Sequence, residues 1–237
     1  MNVAAERRTL VAAIPGYRRS GGNEFAKRYL GSPYPVIGLS VPGLQAILAA
    51  FRKTHRDITA KELNALAAAV RRGPTFEEKT LAVSLLQANG KLLDEASWRL
   101  LDGWVDDSVG WGMCDSIGGG PIARMVRGDP AKFREVLRWT KSANPWRRRV
   151  SLYAMHDLVL AKELDKPFLL IERLLSDQEF WVQRAVGTWL RECWKRDEPR
   201  TGAFLRKHVR GLPKVVITVA TERAPRTLRE ELRRKRR

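Results

Sequence analysis

The sequence predicts an all-α protein, a HEAT-like repeat solenoid of antiparallel helical hairpins with a period of about 35 residues and a concave basic surface. Three observations lead there. The aromatics Phe76, Trp111, Trp146 and Trp181 follow one another at steps of 35 residues. A second ladder, Leu63, Trp98, Phe133 and Phe168, keeps the same 35-residue step half a period away, with Phe204 one residue late. No useful stretch alternates apolar and polar residues as a strand does. Two apolar ladders in one period mean two elements per repeat, and each hairpin buries its face only against its neighbours.

Residues 1–28 read as a helical lead-in over Ala4–Ala13 and Asn23–Arg28. Pro15-Gly16 and Gly21-Gly22 interrupt it, and punctuation that dense predicts a mobile entry. Tyr29–Pro42 holds Pro33, Pro35 and Pro42 with Gly31 and Gly38, which stops helices and shapes a loop. Gly43–His55 follows as a helix, because Leu44, Ile47, Leu48 and Phe51 have the spacing of a core face. From Thr59 the regular repeats begin, and Thr59-Ala-Lys-Glu62 is a capping box for a helix ending near Arg72. After the turn at Gly73-Pro74-Thr75 comes Phe76–Ala88, then Asp94–Asp106 and Gly110–Val126. Gly118-Gly-Gly-Pro121 predicts a break just after Asp115, since each glycine costs a helix about 1 kcal/mol relative to alanine. The remaining helices are Pro130–Lys141, Trp146–Ala161, Lys166–Leu175, Phe180–Trp194, Thr201–Val209 and Val215–Glu222, joined by connections as short as helical hairpins require. The expected organisation is one repeat domain over 1–222, with 1–57 as lead-in and first hairpin and 58–222 as regular repeats. A basic, solvated tail occupies 223–237.

A formal charge of +18, from 44 basic against 26 acidic residues, favours a polyanionic partner, with nucleic acid first. A membrane surface would need a basic segment with a large apolar face or a lipidation signal. No apolar run is long enough to span a bilayer, and Glu6, Arg7 and Arg8 leave Met1–Ser20 a poor signal peptide, so a cytoplasmic location is expected. Cys114 and Cys193 form no CxxC, and His55, His156 and His208 lie far from them and from one another. Zinc-site spacing is therefore absent, no metal or cofactor is expected, and Cys–His or Ser-His-Asp catalysis has little support.

Three residues past the first ladder lie Lys79, Cys114, Arg149 and Arg184; four past lie Thr80, Asp115, Val150 and Ala185. Lys79, Arg149 and Arg184, with Arg147, Arg148 and Arg191 nearby, read as a basic stripe suited to a phosphate backbone or, more plainly, as a solvated helix face. Asp115 breaks its own row. It reads as a surface or helix-start carboxylate, or as a site residue. Trp111 lies one turn before it on the same side of the helix. A carboxylate beside an aromatic repels phosphate, yet it suits a target that develops positive charge, such as the oxocarbenium-like sugar of glycosidic cleavage. A single carboxylate suffices when the leaving base is already cationic. Trp146 and Trp181, at repeat spacing, read as core rather than ligand contacts.

Tyr29…Gly38-Leu-Ser-Val-Pro42, Trp111-Gly-Met-Cys-Asp115-Ser-Ile117, Asn144-Pro-Trp-Arg-Arg-Arg149 and Phe180-Trp-Val-Gln-Arg-Ala-Val-Gly-Thr-Trp-Leu-Arg-Glu192 resemble the AlkD family of HEAT-like-repeat DNA glycosylases, over about Lys27 to Lys214. The resemblance implies that Asp115 is the catalytic carboxylate, that Trp111 contacts the deoxyribose, and that Arg149 holds the backbone near the lesion. It implies excision of cationic N3- and N7-alkylated purines from duplex DNA, in base excision repair without base flipping. Tyr29, Ser40, Thr188 and Trp189 are expected to join Trp111 as substrate contacts, and Lys79, Arg148 and Arg184, read from the repeat spacing as part of the basic stripe, are expected to join Arg149 on the backbone. Two departures alter the walls of the site. The family's second deoxyribose-facing tryptophan falls on Thr188, with Trp189 next door, and its loop glutamine is Ser40. The expected partner is double-stranded DNA carrying alkylated bases, met by a monomer associated with the nucleoid. The competing readings are a non-catalytic HEAT-like protein for distorted or branched DNA and, less favoured by the charge, a protein-binding scaffold.

Overall fold

The computed structural model describes residues 1–19, 21 and 23–236, so Gly22 of the expected interruption and Arg237 of the expected tail lie outside the described residues. Among the described residues there is no strand, only one isolated bridge between Arg18 and Leu39. The chain forms two compact units, Met1–Met125 and Val126–Arg237.

In the first unit the helices are α1 (Val3–Ala13), α2 (Asn23–Leu30), α3 (Val41–Thr54), α4 (Ala60–Arg71), α5 (Phe76–Ala88), α6 (Glu95–Asp106) and α7 (Trp111–Ile117). Three of them start on reciprocal caps. Thr59 and Glu62 cap α4, Thr75 and Glu78 cap α5, and Asp94 and Ser97 cap α6, each pair satisfying two orphan N–H groups. Leu63, Leu66, Leu81, Leu85 and Leu101 are fully buried between these helices. The glycine run ends α7 as expected. A wide helical turn spans Gly118–Ile122, with Gly120 at φ −101°, ψ −109° and Pro121 lacking an N–H, before α8 (Ala123–Gly128) resumes the helix.

The second unit contains α9 (Pro130–Trp139), α10 (Pro145–Tyr153), α11 (His156–Leu160), α12 (Asp165–Arg173), α13 (Phe180–Trp194), α14 (Glu198–His208), α15 (Lys214–Ala220) and α16 (Arg226–Arg236). The single helix expected over 146–161 is divided between α10 and α11. Ala154 and Met155 at the break are both fully buried, so tertiary packing sets a division that no glycine or proline announces. The solvated tail is also corrected. In α16, Leu228 and Leu232 are buried, four residues apart on one face, against α14 and the 3-10 turn Val209–Gly211. Glu231 holds both Arg206 and Lys235 at 3.0 Å, and Arg236 Nε donates to the Leu212 carbonyl at 3.2 Å. Two leucines among arginines are too sparse to read as a period, yet they suffice to dock one helix.

The two ladders fare differently. Leu63, Trp98, Phe133 and Phe168 are all buried, whereas Phe76, Trp111 and Trp146 are half-buried and Trp181 is 37% exposed. Trp146 and Trp181, expected in the core, are therefore corrected to partly open positions.

Candidate functional site

In the first unit the site is built where α2 meets the start of α7. Gly31 and Gly110 have φ of +65° and +87°, and a Cβ on Gly110 would stand 2.2 Å from the Gly31 carbonyl oxygen. Only glycine permits that approach. It brings Trp111 Nε1 to the Tyr29 carbonyl as a hydrogen-bond donor, and sets the two rings edge to face at 5.1 Å. Phe25 stacks on Tyr29 at 6.1 Å, with the rings 9° from parallel. Both rings stand out from the surface, Phe25 at 74% and Tyr29 at 62% exposure. Asp115 is half-buried, one turn beyond Trp111, above the buried Met113, Cys114 and Ile117.

Beneath this helix lies a cation that the sequence reading missed. Arg71 is buried, donating from Nη1 to the Met113 sulfur at 2.9 Å and from Nη2 to Ser108 Oγ at 3.2 Å and the Trp104 carbonyl at 3.4 Å. Burial holds its pKa below the ordinary arginine value. Its guanidinium also lies 5.2 Å from the Trp104 ring centre, so α7 rests on a fixed charge. Lys79 donates to the Arg71 carbonyl at 2.8 Å and sits 4.7 Å from the Tyr34 ring; burial lowers its pKa too. That ammonium, expected on the phosphate backbone, is engaged inside the unit.

Glu77 was also missed, since nothing in the sequence separates it from the neighbouring Glu78. It is buried in the first turn of α5, and its carboxylate accepts from Ile37 N at 2.9 Å, Gly38 N at 2.8 Å and Leu39 N at 3.4 Å. The proline- and glycine-rich loop is thereby tied to α5. Ser40, expected near the substrate, caps α3 by accepting from Gly43 N at 3.1 Å.

In the second unit Arg149 is only 4% exposed. It donates to the Trp181 carbonyl and, at 3.1 Å, to the Tyr153 hydroxyl, with its guanidinium 4.9 Å from the Tyr153 ring centre. Trp146 and Trp181 stack at 6.5 Å. Arg184 is exposed, 5.9 Å from the ring of the equally exposed Phe180. This open face of aromatics and one outward arginine is what remains of the expected stripe here. Arg148 is held within the unit. Its guanidinium makes two bonds to Asp177, at 2.6 and 3.2 Å, and two to the carbonyls of Ser142 and Ala143, at 2.8 and 3.2 Å, so its donors are committed to joining two turns. Trp189 is 4% exposed between Tyr153 and His156, and its Nε1 has no hydrogen-bond partner among the described residues. Thr188 beside it is half-buried.

Among the described residues no group of three His, Cys, Asp or Glu could hold a metal ion, and no helix is long and apolar enough to cross a membrane. Both cysteines are buried, and burial pushes the Cys193 thiol up to about 12, where it is not a nucleophile.

A family model described as DNA alkylation repair enzyme matches residues 16–224. The chain belongs to that family. Among solved structures, one described as a predicted DNA alkylation repair enzyme from Enterococcus faecalis aligns with a TM-score of 0.75 at 17% identity, covering 88% of this chain and 97% of its own. AlkD2 from Streptococcus mutans aligns with a TM-score of 0.65 at 14% identity over 94% of this chain and 99% of its own. The protein smu.31 from Streptococcus mutans UA159 gives 0.59 at 14% identity, over 77% and 98%. At these identities the structures establish a shared all-helical repeat fold. No curated protein matches the chain.

Proposed function

We propose that this DNA alkylation repair family member is a monofunctional DNA glycosylase, which hydrolyses the N-glycosidic bond of cationic N3- and N7-alkylated purines in duplex DNA and so begins base excision repair. The observation that supports it most is Asp115, half-buried one turn beyond Trp111, whose ring meets that of Tyr29, itself stacked on Phe25. As the C1′–N bond breaks, its electron pair moves to the base and cancels the positive charge there, while positive charge develops on the sugar. The base leaves neutral and needs no acid. A carboxylate in a partly desolvated place stabilises the sugar cation more than the ground state, which is what accelerates the reaction. Water then bonds C1′ through its oxygen and passes one proton to the surrounding solvent, and in this reading Asp115 orients that water by accepting a hydrogen bond from it. The ring faces of Trp111 and Tyr29 add attraction for the same cation.

Arg184, exposed beside Phe180, suits a phosphate. Arg149, being buried, serves this reading by holding Trp181 and Tyr153 in place rather than by touching DNA. No cofactor enters the reaction. The enzyme acts as a monomer on double-stranded DNA without flipping the base, and chromosomal DNA as substrate implies a cytoplasmic, nucleoid-associated protein.

One observation favours a second reading, a non-catalytic HEAT-like protein for distorted or branched DNA. By the resemblance to the AlkD family, Thr188 stands in place of a second sugar-facing tryptophan, and the neighbouring Trp189 is buried. The deciding experiment is base release from methylated duplex. Asp115→Asn should slow it by about 100-fold or more, the scale of losing one preorganised electrostatic group, while duplex binding is retained. A wild-type protein that binds the duplex and releases no base, with Asp115→Asn indistinguishable from it, hands the function to the second reading.

A further inference from the structure

The family match ends at residue 224, and α16 begins just beyond it at Arg226. Residues 225–237 carry seven basic side chains against two acidic ones, so +5 of the chain's +18 lies in this short segment. The placement of the charge is more telling than its amount. Leu228 and Leu232 take the apolar face of α16 into the fold, so the helix has no apolar face left to lay into a lipid layer. Its two carboxylates are already held, Glu230 by Arg226 at 2.7 Å and Glu231 by Arg206 and Lys235 at 3.0 Å. Arg233 and Arg234 are exposed and make no ion pair among the described residues. Arg229 is half-exposed and its buried Nε lacks a hydrogen-bond partner. The 3-10 turn against which α16 packs adds the exposed Arg210.

We infer that the outer face of α16, with Arg233 and Arg234 in its last turn, is a second anion-binding surface that takes the phosphate backbone of duplex DNA. The inference rests on the proposal that DNA is the partner. Guanidinium groups match phosphate oxygens in geometry, and each exposed cation that neutralises a phosphate releases a counterion whatever the base sequence. The anchoring of the helix by buried leucines keeps these arginines on a fixed frame. An unfolded tail would have to order itself on binding.

The test is a salt titration of binding to an undamaged duplex, using the full chain. Arg233→Gln/Arg234→Gln should lower the slope of log K against log salt by about 1.8 units, two contacts at about 0.9 each, and weaken binding by about tenfold or more near 0.1 M salt. Its melting temperature should not move, since neither side chain packs or pairs. Arg233→Lys/Arg234→Lys should keep most of the slope. The charge-matched Arg52→Gln/Lys53→Gln, exposed in the last turn of α3, should keep all of it. An unchanged slope in the glutamine variant, or an equal loss in the α3 variant, overturns the inference. So does a variant that binds duplex normally and loses adhesion to phosphatidylserine vesicles, which would make the partner a membrane. Asp115→Asn separates the two claims: base release reports on the glycosylase reading, and the slope reports on α16.

Discussion

The buried carboxylate of Glu77 should decide whether the loop before α3 is a fixed part of the site. Its Oε2 accepts from Ile37 N at 2.9 Å, and its Oε1 accepts from Gly38 N at 2.8 Å and Leu39 N at 3.4 Å. Phe76 N also donates to the Pro35 carbonyl at 2.9 Å, so residues 35–39 run along the start of α5. Glu77→Gln preserves volume. It leaves one oxygen for Gly38 and Leu39 without a full charge, and turns an amide NH2 towards the Ile37 N–H, where donor meets donor. A hydrogen bond to a charged group contributes about 1.5–3 kcal/mol, so losing one and weakening two should destabilise the loop by about 3 kcal/mol. Because the loop can detach on its own, most of this will not reach the global unfolding free energy.

The assay is amide hydrogen exchange. Protection of Ile37, Gly38 and Leu39 should fall by about 100-fold, with the α4 and α5 core amides nearly unchanged. On the proposed glycosylase reading base release should slow as well, since the loop leads directly from α2, whose Tyr29 is seated on Trp111. Unaltered exchange at those three amides would refute the assignment of Glu77 as the anchor.

Three further outcomes follow from the packing. Gly110→Ala forces a side chain into a φ of +87° and against the Gly31 carbonyl, so it should cost about 1–3 kcal/mol and shift Trp111 emission; a variant with native melting and emission would mean α2 is not seated as described. Leu232→Ala removes a fully buried side chain and should cost about 2–4 kcal/mol in denaturant unfolding, whereas a cost below about 0.5 kcal/mol would return α16 to a solvated tail. Asp94→Ala should cost about 1 kcal/mol at neutral pH. The Ser97 N–H holds the Asp94 carboxyl below its usual 3.8, so its contribution is present above that value and is lost as pH falls through the lower folded pKa. The gap between variant and parent, read by urea unfolding, should close in acid, and a pH-independent gap would contradict the cap.

The bounds of α5 and α13 were legible because strong signals coincide there, a polar cap or turn followed by aromatic residues at the repeat interval. That Asp115 and Trp111 share a helix face was legible for a related reason: they stand one turn apart on a helix whose end the glycines mark. Arg71 and Glu77 were not, because their partners are backbone groups, a serine hydroxyl and a sulfur up to 42 residues away, and sequence carries no local trace of such contacts. The partner of Arg148 was hidden for the same reason. The charge of this arginine is real, yet Asp177, 29 residues on, engages it.

The tryptophans show why periodicity alone cannot separate core from surface. A repeat interval marks equivalent positions without saying which way they face. The second ladder sits within the first helices of the hairpins and points inward. Phe76 and Trp111 are the first residues of α5 and α7, and Trp146 and Trp181 are the second residues of α10 and α13. Helical side chains lean towards the N-terminus, so an aromatic in the first turn reaches past its own helix towards the rim of the packed layer. A residue four positions later lies one turn deeper, at the boundary between rim and core. Thr80 and Asp115 are half-buried at that depth, while Val150 and Ala185 are buried. A carboxylate placed there loses part of its water and still meets the surface, the condition under which its charge acts most strongly on a cation brought to it from outside.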